Sequence, residues 1–140
     1  MKRICSIIVL LLSFVSLYSQ TTKLTVNVMG VKNNKGNIVV GVCENEKQLL
    51  GKQKPKYYKA VPSKKGNVQI SLEVPNGTYA IVACHDENKN NEFDTNFLGI
   101  PKEDYGFSSN DGFIPKFEKA KIVLSGSAKT VNIQLKTFKN

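Results

Sequence analysis

Asp86-Glu87-Asn88-Lys89-Asn90-Asn91-Glu92-Phe93-Asp94 is the stretch of this chain whose residue types and spacing best fit a chemistry. Oxygen donors fall at relative positions 1, 3, 5 and 9, and the Glu92 carbonyl is available at position 7. That is the donor order of an EF-hand-like calcium loop, so Asp86, Asn88, Asn90, Glu92 and Asp94 are the candidate ligands of a hard cation, calcium first. Two features depart from the pattern. Asn91 stands at position 6 where a glycine is usual, although Asn tolerates a left-handed backbone. Phe97 stands at position 12 and cannot supply a bidentate carboxylate, which leaves Glu87, Glu103, Asp104 or water to complete the coordination. The competing reading is an Asx-turn loop whose side chains cap their own backbone.

Charge sharpens the cation reading. Residues 86–104 carry six acids against Lys89 and Lys102, a net of −4 in a chain of formal charge +9. Concentrated carboxylates need a counter-charge, and a bound cation or neighbouring lysines would supply it. With a single histidine, His85, and cysteines placed at the ends of apolar runs, a transition metal fits less well.

Other chemistry is weaker. Tyr105 and Phe107 offer a ligand platform for a glycan or peptide, or else a small satellite core under the loop. A small periplasmic hydrolase would have to draw on His85, Asp86, Ser108, Ser109, Glu103 or Asp104. No strand–turn–helix elbow surrounds either serine, and no second acid has a fixed place across a cleft. The expectation is therefore a non-enzymatic protein. Cys43 and Cys84 would close a loop of about 40 residues as a disulfide, contributing roughly 3–4 kcal/mol, or remain two buried thiols.

The elements that hold these residues read as strands. Residues 1–20 have the layout of a secretory signal peptide: Lys2 and Arg3, an apolar run from Ile4 to Val15, and a cleavage region near Ser19 or Gln20. The remainder, 21–140, suits one domain, with 18 lysines against 11 acids and no arginine. A lysine-only surface argues against nucleic-acid reading, which favours Arg forks. It suits solubility or attraction to an acidic polymer, an envelope glycan or a protein. No segment after residue 20 is apolar enough to span a membrane.

Alternation marks Lys23–Met29, Asn37–Cys43 and Val68–Val74 as strands, and the apolar run Thr78–Cys84 as a central strand. Lys121–Leu124 and Thr130–Leu135 follow. Turns at 33–36 and 125–129 suggest that the flanking strands pair as hairpins. Residues 44–60 have room for one helical turn. The whole implies an all-β antiparallel sandwich of about seven strands with one long ordered loop over 86–117, whose six aromatics argue against disorder.

The run Gly77-Thr78-Tyr79-Ala80 through His85-Asp86-Glu87-Asn88 and Asn90, then Phe93-Asp94 and Leu98 to Glu103, resembles an uncharacterised family of small exported bacterial proteins (domain of unknown function 2141). Tyr105 to Ser108, Pro115, Phe117 and Ala120 extend the match. The chain departs from the family pattern at Asn91, where Gly is common, and at Cys84, usually aromatic or aliphatic. The resemblance implies an exported protein of Gram-negative bacteria, periplasmic or extracellular. Its fold would be similar to transthyretin-like or carboxypeptidase-regulatory-like sandwiches. No activity comes with it.

Overall fold

The computed structural model describes residues 19–96, 101–109, 112 and 114–138, so all but the last two residues of the leader expected over residues 1–20 lie outside the described residues. The period-two pattern buries the side chains it predicts. On β1 (Thr21–Val31), Leu24, Val26 and Val28 are fully buried, and on β4 (Gly66–Pro75) Val68, Ile70 and Val74 point the same way. Between them come β2 (Asn37–Cys43), the single-turn helix α1 (Glu46–Leu49) and β3 (Tyr57–Pro62). Then follow β5 (Gly77–Asp86), β6 (Tyr105–Phe107), α2 (Phe117–Ala120), β7 (Lys121–Leu124) and β8 (Ala128–Gln134).

Among the described residues eight strands form two sheets. One has three strands in the order β4-β1-β8; the other has five, β3-β2-β5-β6 with β7 also paired to β5. Their facing sides enclose one core that includes Leu24, Val26, Ile70 and Ile133 from the first sheet and Val40, Val42 and Ile81 from the second. The all-β sandwich and the central place of Thr78–Cys84 agree with the sequence reading.

The pairings expected from the turns do not form. The connection at 33–36 carries the chain from one sheet to the other, because β1 pairs with β4 while β2 pairs with β5 and β3. The same happens at 125–129: β7 joins β5, whereas β8 lies parallel to β1. The sandwich is thus not wholly antiparallel. Alternation fixes which face of a strand is buried, and the choice of partner depends on contacts far away in sequence.

Two further strands escaped the pattern. The edge strand β3 is mostly exposed and keeps no clean alternation, and β6 has only three residues. β6 nevertheless ties the sheets together. Tyr105 exchanges main-chain hydrogen bonds with Lys136 beyond β8, and a side chain at Gly106 would meet the Gln134 carbonyl at 2.4 Å. Among the described residues no helix is long and apolar enough to cross a membrane.

Candidate functional site

β5 delivers His85 and Asp86 to the mouth of the acidic loop, and both are buried. Its neighbour β2 sets their register, with Ile38 opposite His85 and Asn37 opposite Asp86. The turn before β2 packs on this point. Gly36 has φ +70°, and a Cβ there would lie 2.0 Å from the Asp86 carbonyl oxygen.

His85 fastens the same turn. Its Nε2 lies 2.7 Å from the Lys35 carbonyl, which can only accept, so Nε2 carries the proton. Ser63 Oγ is 3.0 Å from the same nitrogen and donates its own proton to the Asn33 carbonyl. This serine–histidine pair has the spacing of a nucleophile and base. Both residues are buried, however, and both protons point at main-chain oxygens, so the pair acts as a clamp on residues 33–35. Ser108 is also structural: its hydroxyl accepts from the Ile81 amide and donates to the Ala120 carbonyl.

The loop beyond is laced by its own side chains. Asp86 accepts the Asn91 amide at 2.8 Å through Oδ2 and the Asn90 amide at 3.2 Å through Oδ1. Asn88 Oδ1 caps the Asn90 amide, and Asn90 Oδ1 caps the Glu92 amide, which are the Asx-turns of the competing reading. Two left-handed residues make this possible: Lys89 at φ 62° and Asn91 at φ 57°, the position where a calcium loop favours glycine. The side chains also converge. The amide groups of Asn88 and Asn90 donate to the two oxygens of Asp94, at 2.7 and 2.9 Å.

Of the five residues predicted as ligands, Asp86, Asn88, Asn90 and Asp94 therefore form one network. Glu92 contributes its main-chain amide while its side chain is exposed. The three acids left open to complete the set part ways. Glu87 accepts from Asn33 at 2.9 Å, and Asp104 pairs with Lys32 at 2.9 Å, so both brace the turn between β1 and β2.

Glu103 turns inward. Its Oε2 is buried with no hydrogen-bond partner. Burial, then the charges of Asp94 and Asp86, push its carboxyl up to about 7, against the pull of the Asp94 and Glu87 main-chain amides. Sequence spacing named Glu103 without ranking it, because its direction depends on how the loop returns to β6. Among the described residues no three acidic, histidine or cysteine side chains stand close enough to hold a metal by themselves. A cation here would need the asparagine oxygens and main-chain carbonyls as well.

Two pairs of alternatives left open by the sequence remain, and in each the plainer one fits the structure. Tyr105 and Phe107 are 1% and 2% exposed and cannot form a ligand platform. They stack at 6.4 Å, with Phe93 edge-on to Tyr105, as a satellite core that roots the loop. Cys43 and Cys84 are free thiols. They lie on neighbouring strands, but Cys84 faces Val39 and Cys43 faces Ala80. Four residues of strand separate them by about 13 Å, whereas a disulfide needs Cα atoms within about 7 Å. Burial pushes both thiols up to about 12.

The fold and this site define a small all-β sandwich with a laced, acidic loop at the end of its central strand. The chain belongs to a family of uncharacterised proteins conserved in bacteria (DUF2141), whose sequence model matches residues 26–132. Neither the search of curated proteins nor that of solved structures returned a match.

Proposed function

We propose that this is an exported, non-enzymatic sandwich protein whose 86–94 loop, joined by Glu103, binds calcium. The bound ion would hold the loop rigid for contacts with an envelope glycan, an acidic polymer or a protein. One observation carries the reading: a buried, unpartnered Glu103 oxygen stands with the charges of Asp86 and Asp94, beside amides already turned toward Asp94. Without a cation, the NH₂ groups of Asn88 and Asn90 supply the positive end facing Asp94. Binding would replace them with their oxygens after rotation of the two amides. A hard ion with oxygen ligands and flexible geometry suits this set, at the modest affinity of extracellular calcium modules.

Export rests on the basic and apolar residues at the start of the chain. The lysine-rich surface favours acidic partners.

The test is calorimetric titration of residues 21–140, stripped of metal, with Ca²⁺, together with melting curves. Heat on titration and a higher melting temperature are expected, because a ligand that binds only the folded state stabilises it. Asp94→Ala should abolish both. Absence of heat, or a D94A protein that titrates like the parent, would sink the calcium reading.

A further inference from the structure

The outer face of the five-stranded sheet carries a second feature, which shares one wall with the acidic loop. A groove of ≈ 380 Å³ runs across β2 and β5, within the size range of ligand clefts. Its floor includes Val39, Val82 and Cys84, and its walls are the 48–55 segment and the 90–93 part of the loop.

The walls are built. Asn45 caps α1 by accepting the Gln48 amide at 3.1 Å, and Gln48 Oε1 accepts the Glu44 amide at 2.7 Å. Leu49 is buried beneath this turn. Gly41 lets Pro55 close on the sheet, since a Cβ there would meet Pro55 Cγ at 3.0 Å. The two walls meet where a Cβ on Gly51 would touch the Phe93 ring, also at 3.0 Å. Between them Val39, Val82 and Phe93 stay only half-buried, leaving apolar surface open inside a concavity.

The rim is charged with one dominant sign. Lys52 and Lys54 are exposed and have no ion-pair partner among the described residues. Lys54 Nζ sits 4.4 Å over the Tyr58 ring, which holds it at the edge of the groove. Glu92, the acid of the lining, stands on the opposite wall.

We propose that this groove binds a small anionic amphiphile, a carboxylate on a short hydrocarbon chain. Its chain lies along Val39, Val82 and Phe93, and its head group meets Lys52 and Lys54. Apolar walls supply the affinity, and the lysines select the sign of the head group. Opposite Glu92, that head group is steered to the 51–55 side.

The experiment titrates residues 21–140 with monomeric decanoate in excess EDTA, so that calcium binding cannot account for the result. Decyltrimethylammonium serves as the charge-reversed control and phosphatidylglycerol vesicles as the membrane control. Decanoate should bind, the cation should bind at least about ten-fold more weakly, and the surface variant K52Q/K54Q should lose about ten-fold in decanoate affinity with its melting temperature unchanged. Equal binding of the two amphiphiles, an unaffected double variant, or binding to vesicles without binding to monomeric decanoate would overturn the proposal. So would no binding at all.

Discussion

Glu103→Gln tests the acidic site without removing its shape. In the folded chain the Glu103 carboxyl is raised to about 7 from 4.5, first by burial and then by Asp94. The proton is therefore held more tightly in the folded state than in the unfolded one. The stability this gives is complete below about pH 4.5 and is lost as pH rises through about 7. The full shift corresponds to at most about 3 kcal/mol. This side chain is only partly buried, so solvent screening brings the expected effect to roughly 1–2 kcal/mol.

Glutamine cannot ionise, and it places an NH₂ donor within reach of the neighbouring carboxylates. In EDTA near pH 8 the E103Q protein should be more stable than the parent by that amount, a rise of about 3–8 °C in melting temperature. Near pH 5 the two should nearly coincide. With calcium present the order should reverse, because the parent gains a charged ligand that the variant lacks. Melting followed by circular dichroism at both pH values, with EDTA and with calcium, provides the measurement. Parallel pH dependences of parent and variant in EDTA would refute the reasoning, as would a variant less stable than the parent near pH 8.

Two other substitutions or treatments probe the supports of the site. Gly36→Ala combines a left-handed φ of +70° with a methyl group driven against the Asp86 carbonyl, and should cost about 2–4 kcal/mol. A denaturant midpoint unchanged from the parent would contradict that packing. The thiols of Cys43 and Cys84 should resist a thiol reagent in the native protein and both react in denaturant without prior reduction. A mass two hydrogens below the reduced value would show that they pair after all.

The buried faces of the sandwich were legible in the sequence, and the partners of its strands were not. Leu24, Val26 and Val28 announce their burial through spacing alone, but nothing near them says that they lie between Ile70 and Ile133. The turn at 33–36 has hairpin residues and is used to step between sheets, held by Gly36 and His85. β3 was hidden because this exposed edge strand, YYKAVP, keeps no alternating apolar stripe to report.

At the candidate site the order of donors was readable because all lie in one continuous loop. Glu103 was ambiguous because its orientation follows from the pairing of β6 with β5. That same pairing turned Tyr105 and Phe107 from a possible surface into core. Aromatic residues in a loop reveal that it packs, and only the tertiary contacts say which way the rings face.

The parallel contact of β1 with β8 has a kinetic consequence. β1 is the middle strand of its sheet, and the side-chain hydrogen bond between Asn27 and Asn132 joins residues 105 positions apart. A chain made from its N-terminus holds one side of that strand unpaired until residues 128–134 have appeared. Loop closure over such a span makes folding slow and defers it until β8 has been made. Were the protein exported as proposed above, that delay would leave the sandwich open until β8 had followed the earlier strands across.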